Sequence, residues 1–265
     1  MTVNLWSDGE IYEKYNGQWS RQIADKFIRW LGVDKAGLDA CIDMGCGTGA
    51  LSEALLANNV CRNLTSLDQS PSYLSFAKQR IQSDNVEFLT ADAQNTNLPK
   101  RTYDLVVSGL VLNFVDSPPA MLKEMASIAK QGAMLGLYIW DFADGMQPIR
   151  KFWDAAQLCD APRVQEMDSG NRFPISKRDN LLQIVQEAGW VQPTVDPIEI
   201  DAEFENFDAY WSFFLGGQGT VPAFALSLDD DMREKVRTTL MNLVTDAPDE
   251  PFHLPVRAWA AKGRA

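Results

Sequence analysis

Residues 20–32 carry apolar side chains at the spacing of one helix face. The apolar positions are Ile23, Ala24, Phe27, Ile28 and Leu31. Repeats of three and four residues are typical of an amphipathic helix. Ser20 precedes the pattern and Gly32 follows it, and serine and glycine commonly begin and end helices. We therefore predict an N-terminal amphipathic helix that is capped by Ser20 and stopped by Gly32.

Short apolar runs then alternate with amphipathic stretches. The runs that predict strands are LDACIDMG, NLTSLD, VEFLTAD, YDLVVSGLVLNF and AMLGLYIWDF, and the stretches that predict helices are ALSEALLAN, PSYLSFAKQRI and AMLKEMASIAK. Ser70 and Pro71 fit the N-cap and the first position of the second helix. Strands and helices that take turns at this spacing predict an α/β fold, with a doubly wound parallel sheet and helices on both faces.

After Asp141 this alternation breaks. Two stretches, about 143–177 and 205–246, mix loop composition with helical patterns, including one helix around 150–158 and one from Asp229 to about Val244. Between and after them, KRDNLLQIVQEAGW predicts a helix, and QPTVDPIEID and FHLPVRAWAAKG predict strands. We predict that both stretches are cap insertions over the carboxyl edge of the sheet, within an α/β domain of residues 36–265.

Composition narrows the possible partners. The chain of 265 residues has 36 acidic and 24 basic side chains and a net charge of −12, which disfavours nucleic acid as a partner. Its four cysteines form no CxxC pair, and His253 is its one histidine, so we predict no metal site. The N-terminal residues lack the basic start of a signal peptide, and no apolar stretch has the length of a membrane span. We therefore expect a cytoplasmic protein.

The first predicted strand runs into a glycine-rich turn. Gly45, Gly47 and Gly49 occupy alternate positions, and glycines there let a ligand approach the backbone at the start of a helix. Their GxGxG spacing differs from the GxGxxG of dinucleotide sites, and the lysine of a phosphate-binding P-loop is absent. The turn alone leaves several nucleotide ligands open.

Three acids end the first three predicted strands. Asp43 precedes the turn, and a carboxylate there repels a pyrophosphate and favours a cationic ligand, held directly or through water. Asp68 follows the turn by about 20 residues, where related folds hold ribose hydroxyls. Asp92 is suited to accept a hydrogen bond from an adenine amino group, with Ala93 supplying a backbone N–H. Each acid taken alone is better explained as a helix cap or a surface carboxylate, but together with the turn the three predict a nucleoside site.

Four motifs in order resemble the class I S-adenosylmethionine-dependent methyltransferases. IDMGCGTGALSEAL is similar to their glycine motif, SLDQSPSYLSFAK to their ribose motif, VEFLTADAQNTNLP to their adenine motif and YDLVVSGLVLNFV to their fourth-strand motif. The branch that the chain resembles includes the quinone-biosynthesis C-methyltransferases and other small-molecule enzymes. The resemblance implies a seven-stranded sheet whose last strand is antiparallel, with S-adenosylmethionine as cofactor and S-adenosylhomocysteine as product.

The resemblance also implies which residues hold the cofactor. These are Asp43, Gly45, Cys46, Gly47, Gly49, Asp68, Gln69, Asp92, Ala93, Ser108 and Gly109. The segment YEKYNGQWSRQIA is similar to one that folds over the cofactor in this branch, so residues 1–35 are expected to cover it. Tyr15 and Arg21 are candidates to meet the methionine carboxylate, although a plain helix N-terminus explains them as well.

Residues that act on the substrate are less sharply indicated. Asp141 ends the fifth strand and is a candidate to orient the substrate, with a loop cap as the alternative. His253 is the other catalytic candidate, with a structural or surface histidine as the alternative. Candidate substrate-binding residues are Asn113, Trp140, Trp153, Trp211 and Phe214. The aromatic members of this set would form a lid, or else plain core.

The sequence therefore predicts methyl transfer to a small, partly apolar molecule. SGLVLNF lacks the Asn/Asp-Pro-Pro-aromatic motif of the nucleic-acid amino-methylating enzymes, which again disfavours DNA and RNA. One alternative is a cofactor-binding regulatory or partner-binding module without methyl transfer. Another is a nicotinamide-dependent oxidoreductase, which the glycine spacing and Asp43 disfavour. The methylated atom, the general base and the oligomeric state stay open.

Overall fold

The computed structural model describes residues 17–33, 38–216 and 219–265. Within these ranges one sheet contains β1 (Leu38–Met44), β2 (Cys61–Asp68), β3 (Val86–Thr90), β4 (Tyr103–Gly109), β5 (Ala129–Trp140), β6 (Val191–Phe204) and β7 (Phe252–Arg264). The strand order is β3-β2-β1-β4-β5-β7-β6. β7 is antiparallel to both of its neighbours, and the pairs among β1–β5 are parallel. The α/β fold with seven strands and an antiparallel last strand is thus confirmed.

Helices cover both faces of the sheet. They are α1 (Gln18–Leu31), α2 (Ala50–Ala57), α3 (Pro71–Arg80), α4 (Pro118–Ile128), α5 (Gln147–Leu158), α6 (Val164–Met167), α7 (Ser169–Arg172), α8 (Arg178–Glu187), α9 (Phe207–Gly216), α10 (Thr220–Ser227) and α11 (Asp230–Val244). In β4, Leu105 and Val107 pack in the same core as Phe27 of α1, whereas Val106 packs with Met121 of α4 on the other face. This period of two is the direct result of strand geometry.

The ends of two helices test the predicted caps. Gly32 ends α1 in the left-handed conformation, with φ of +68°, as predicted. Ser20 as the N-cap is wrong, because α1 begins at Gln18 and Ser20 lies on its buried face beside Trp19. At α3, the Ser70 hydroxyl accepts a hydrogen bond from the Tyr73 N–H at 3.4 Å, and Pro71 is the first helical residue, as predicted.

Strands β6 and β7 extend beyond the end of β5, and helices pack against them. β5 pairs with β7 only from Ala258 onward, whereas β6 stays paired with β7 down to Phe252. Helices α5–α7 lie within residues 143–177 and α9–α11 within 205–246. The two groups contact each other, since the Tyr210 hydroxyl donates to the Pro148 carbonyl at 2.6 Å. In the described part of the chain, no helix combines the length and apolar composition that crossing a membrane requires.

Candidate cofactor site

The glycine turn links β1 to α2 in a conformation that requires glycine. Gly45, Gly47 and Gly49 have φ of +78°, +54° and +97°, a region that side chains other than glycine rarely adopt. A Cβ on Gly45 would lie 2.5 Å from Val111 Cγ2. The N–H groups of Gly45 and Cys46 both donate to the Leu67 carbonyl at 2.8 Å. The turn is therefore held closely between β2 and the loop after β4.

Asp68 joins the end of β2 to this turn. Its Oδ2 accepts a hydrogen bond from the Gly47 N–H at 2.9 Å, and its Oδ1 accepts one from the Ser70 N–H at 2.8 Å. Burial raises the pKa of its carboxyl group, and the backbone donors at Ser70, Gly47 and Gln69 oppose that shift. Asp68 thus orients the turn while it also borders the cleft described below.

Asp92 organises the loop after β3. Its Oδ1 accepts hydrogen bonds from the backbone N–H of Gln94 at 2.8 Å and from the Gln94 side-chain amide at 3.2 Å. The side-chain carbonyl of Gln94 in turn accepts from the Ser117 N–H at 2.6 Å. Ser117 is the N-cap of α4, so this network fixes the loop after β3 against the next helix.

These elements enclose a cleft of about 140 Å³ at the carboxyl ends of β1, β2 and β3. It is lined by Gly45, Leu67, Asp68, Gln69, Ala91, Asp92, Ala93, Gln94, Val111, Phe114, Val115 and Asp116. The structure thus brings together five of the predicted cofactor residues: Gly45, Asp68, Gln69, Asp92 and Ala93. The sequence interpretation missed Phe114, Val115 and Asp116, although their position directly after a strand that reaches this edge is a usable signal.

The charged side chains that line the cleft suit a cationic nucleoside better than a pyrophosphate. Three carboxylates, Asp68, Asp92 and Asp116, line it, and no lysine or arginine is among its described lining residues. Carboxylates accept hydrogen bonds from ribose hydroxyls and attract positive charge. In the described ranges no group of three or more His, Cys, Asp or Glu side chains is arranged to hold a metal ion.

Asp43 lies in the interior beneath the turn and is not among the residues that line the cleft. Its Oδ2 accepts a hydrogen bond from the Ser52 hydroxyl at 2.7 Å, and Ser52 lies 2.8 Å from the Ser66 hydroxyl. Its Oδ1 is buried without a partner. Burial raises the pKa of Asp43 from 3.8 to about 7, the Ser52 hydrogen bond opposes the shift, and the charge of Asp68 adds to it. Contact of Asp43 with a ligand stays a prediction.

The raised pKa makes a pH-dependent contribution to stability. Between about pH 4 and pH 7 the folded state keeps a proton on Asp43 that the unfolded state has lost, so stability falls as pH rises through this range. The amide of the Asp43→Asn variant does not titrate. We expect the unfolding free energy of the wild type to fall relative to that of the variant by up to about 1.4 kcal/mol per pH unit in this range.

Urea unfolding of the wild type and of Asp43→Asn between about pH 4 and pH 7 measures the difference between their unfolding free energies. Asp84→Asn is the control because Asp84 is exposed in a turn, and its pH dependence should follow the wild type. A difference in unfolding free energy between Asp43→Asn and the wild type that stays constant with pH would contradict a raised pKa of Asp43.

Several other predicted cofactor residues serve the scaffold. The Ser108 hydroxyl donates to the Met44 carbonyl at 2.6 Å, and a Cβ on Gly109 would lie 2.4 Å from the Tyr138 hydroxyl. Burial raises the pKa of the Cys46 thiol well above its usual range. None of these residues, nor Gly47 or Gly49, is among those lining the cleft. Their contact with a cofactor stays a prediction.

The N-terminal candidates are only partly covered by the structure. Tyr15 lies outside the described residues. Arg21 lies on α1 and is partly buried. Its role toward a methionine carboxylate stays a prediction.

Asp141 ties β5 to β7. It is 1% exposed, its Oδ2 accepts a hydrogen bond from Arg257 Nε at 2.8 Å, and the same oxygen forms an ion pair with Arg257 Nη2 at 2.7 Å. Its Oδ1 accepts from the Asp144 N–H at 3.0 Å. Both oxygens are thus engaged within the protein, which favours the loop-cap alternative over substrate orientation. His253 is exposed at the far end of the β6–β7 pair, with its Nδ1 4.0 Å from Glu203.

Replacement of Asp141 should therefore act on stability. We expect Asp141→Asn to lower the unfolding free energy by about 2 kcal/mol, because it removes the charge that compensates a partly buried guanidinium. Asp39→Asn breaks an exposed pair with Arg62 and should change stability by less than about 1 kcal/mol. Chemical unfolding of both variants gives the comparison, and equal effects would contradict a structural role for Asp141.

The predicted aromatic lid is a packed cluster. Trp140, Trp153, Trp211 and Phe214 are all buried. Phe152 lies among them, with ring centroids 4.8 Å from Phe214, 5.5 Å from Trp153 and 6.3 Å from Trp211. None of the predicted aromatic residues lines the cleft, which favours the plain-core alternative. Asn113 is half-buried, and its side-chain oxygen is buried without a partner; its contact with a substrate stays a prediction.

Comparison with known proteins shows which family the chain is similar to. Residues 42–137 match the family model described as a methyltransferase domain. All four motifs quoted above fall within this span. This part of the chain is therefore similar to a methyltransferase domain, which agrees with the resemblance stated from the sequence.

Two curated methyltransferases are similar to parts of this chain. The chain is 26% identical over 133 residues to malonyl-(acyl-carrier protein) O-methyltransferase 1 of Ilyobacter polytropus, covering 50% of this chain and 48% of that protein. It is 27% identical over 118 residues to the chloroplastic 2-methyl-6-phytyl-1,4-hydroquinone methyltransferase 1 of Oryza sativa subsp. japonica, covering 44% of this chain and 36% of that protein. The chain thus spans about half or less of the length of these curated relatives.

A solved structure matches over nearly the whole chain. Phosphoethanolamine N-methyltransferase 2 of Haemonchus contortus, in complex with S-adenosyl-L-methionine, aligns with a TM-score of 0.55. The alignment covers 97% of this chain and 56% of that chain, at 13% identity. At this identity the likeness concerns the fold alone.

Proposed function

We propose that this protein transfers a methyl group from S-adenosylmethionine to a small, partly apolar molecule. The observation that carries the proposal is the cleft in which Gly45, Asp68 and Asp92 meet at the carboxyl edge of the sheet. The named activities of the relatives, on a malonyl carrier protein and on a hydroquinone, support methyl transfer as the reaction. They leave the choice of acceptor open.

The residues present fit the cofactor chemically. Asp68 would accept hydrogen bonds from the ribose hydroxyls, and Asp92 with Ala93 would face the adenine. The absence of lysine and arginine among the described lining residues suits a ligand that carries a positive sulfonium rather than phosphates. When bound, S-adenosylmethionine supplies a methyl group that is already activated by the sulfonium.

The chain's own contribution would then be mainly positional. The turn at Gly45 brings backbone close to the ligand, and the hydrogen bonds of Asp68 to Gly47 and Ser70 hold the floor of the cleft rigid. Alignment and exclusion of water of this kind can lower a barrier by about 7–11 kcal/mol. The net charge of −12 supports a small molecule rather than nucleic acid as substrate. The cytoplasmic location predicted from the sequence remains part of this proposal.

Two measurements on the purified chain test the proposal. Isothermal titration with S-adenosylmethionine, S-adenosylhomocysteine and NADH should show binding of the first two and none of NADH. Incubation with methyl-labelled S-adenosylmethionine and a small-molecule lysate fraction should yield a labelled product. Cofactor binding without any labelled product would favour the binding-module alternative, and absence of cofactor binding would remove the proposal.

A further inference from the structure

A buried carboxylate lies directly below the cleft. Asp43 of β1 pairs with Ser66 of β2, and neither residue is exposed to solvent. Further along the same two strands, Gly45 and Leu67 line the cleft. Asp43 therefore lies just below the floor of the cleft without lining it, so any effect of Asp43 on a ligand there acts through charge rather than through contact.

The protein interior does little to compensate a negative charge on Asp43. An ionised carboxylate can accept hydrogen bonds at both of its oxygens, but only Oδ2 of Asp43 has a donor, the Ser52 hydroxyl at 2.7 Å, and Oδ1 is buried without a partner. Burial and the charge of Asp68 raise the pKa of Asp43, and the hydroxyl and backbone N–H of Ser52 oppose the shift. These main influences include no lysine or arginine, so the ionised form of Asp43 lacks a positive charge beside it.

Two titratable groups from the neighbouring elements act on Asp43 or respond to its charge. One is the carboxyl group of Asp68 at the end of β2. The other is the Cys46 thiol in the glycine turn, whose pKa is raised by burial and by the charges of Asp43 and Asp68, so that this thiol is neutral near pH 7. From the other side, β4 places the uncharged Val107 beside Asp43. Both titratable neighbours are acids, so a cationic ligand in the cleft would supply the compensating charge.

We propose that Asp43 distinguishes the charged cofactor from its neutral product: it releases its proton to the solvent when a cationic ligand occupies the cleft and takes a proton back when the ligand is neutral. This inference rests on the proposed function, because S-adenosylmethionine carries a positive sulfonium that S-adenosylhomocysteine lacks. Asp43 acts through space and strengthens binding of the charged cofactor relative to the product. It thereby favours replacement of the product by fresh cofactor after each methyl transfer.

The direction of the pH dependence follows from the raised pKa. With a pKa of about 7, Asp43 is about half protonated at pH 7. A nearby cation favours the ionised form and lowers this pKa, so binding of a cation releases protons. Because more of the carboxylate is already ionised at higher pH, the preference for a cationic over a neutral ligand should rise by about tenfold from about pH 5.5 to pH 7.

Proton release on binding tests the inference without use of the reaction. Isothermal titration of the full chain with S-adenosylmethionine, S-adenosylhomocysteine and sinefungin, in buffers of different ionisation enthalpy, counts the protons released. Sinefungin carries an ammonium group in place of the sulfonium and has no methyl group to transfer, so it separates charge from the methyl group. At pH 7 we expect both cationic ligands to release about half a proton more than S-adenosylhomocysteine does.

Matched variants assign the additional proton release to Asp43. Asp43→Asn should abolish it, and any release that is left gives the background from the ligands' own groups. Asp84→Asn, at an exposed turn, should release as many protons as the wild type. Ser52→Ala removes a hydrogen bond that opposes protonation of Asp43, so the pH of largest additional release should move upward. A purely structural role of Ser52 would leave that pH unchanged.

The outcomes separate this inference from the proposed function. Equal proton release by the three ligands overturns the inference even when all of them bind, and so does an additional release that persists in a folded Asp43→Asn protein. An additional release with S-adenosylmethionine but not with sinefungin would trace to the methyl group and would also overturn it. Failure of S-adenosylmethionine and S-adenosylhomocysteine to bind overturns the proposed function. If Asp43→Asn does not fold, as judged by circular dichroism, the comparison of the three ligands on the wild type decides.

Discussion

Gly45→Ala should abolish measurable cofactor binding and destabilise the protein by about 2–5 kcal/mol. Two effects combine at this position. The φ of +78° strains any residue that has a Cβ. In addition, the new methyl group would lie 2.5 Å from Val111 Cγ2 and 2.9 Å from Cγ1, so that the loop carrying Val111 must shift. Titration with S-adenosylhomocysteine and urea unfolding measure the two consequences.

Gly132 provides a matched control for the backbone strain. Its φ is +74°, and nothing lies within 4 Å of a Cβ built there. Gly132→Ala should therefore cost only the conformational strain of about 1–2 kcal/mol and leave cofactor affinity intact. If the two variants lose equal stability and both keep the cofactor, the contact between the turn and Val111 is not what shapes the site.

Asp68→Asn should weaken S-adenosylhomocysteine binding by about 10- to 100-fold. The amide cannot accept from both the Gly47 and Ser70 N–H groups, because its nitrogen is a donor and would face a donor. The substitution also removes a negative charge from the cleft. Both the orientation of the turn and the direct contact with a ribose are therefore impaired. Isothermal titration gives the ratio of dissociation constants.

Asp39→Asn serves as the control for this substitution. Asp39 lies on β1 of the same sheet, and its exposed carboxylate pairs with Arg62 at 2.9 Å, away from the cleft. The affinity of the Asp39→Asn protein for S-adenosylhomocysteine should stay within about twofold of that of the wild type. An Asp68→Asn protein that is folded and binds as tightly as the Asp39→Asn protein would exclude Asp68 from the site.

Much of this fold could be predicted because local sequence patterns determine its helices and strands. Period-two and helical spacings gave the alternation through β5, and Ser70 with Pro71 marked the start of α3. The convergence of Gly45, Asp68 and Asp92 followed from topology, since the carboxyl ends of adjacent parallel strands share one edge. Residues that end such strands are near in space even though they are far apart in sequence.

What could not be predicted depends on contacts between distant segments. The partner of Asp141 is Arg257, 116 residues away on an antiparallel strand, and only that pairing reveals the carboxylate as a structural tie. Phe114, Phe142 and Phe173 likewise come from three loops whose sequences give no sign of a shared cluster. Ser20 resembled a cap, but the burial of Trp19 beside it extends the helix past that position. In each case tertiary packing overrides the local signal.

A crystal structure of the chain with S-adenosylhomocysteine would show directly whether the cleft at Gly45, Asp68 and Asp92 holds the cofactor. We expect the ribose hydroxyls within hydrogen-bond distance of the Asp68 carboxylate, the adenine beside Asp92 and Ala93, and the homocysteine portion against the turn at Gly45. A ligand bound elsewhere, or a ribose whose hydroxyls do not contact Asp68, would show that this cleft is not the cofactor site.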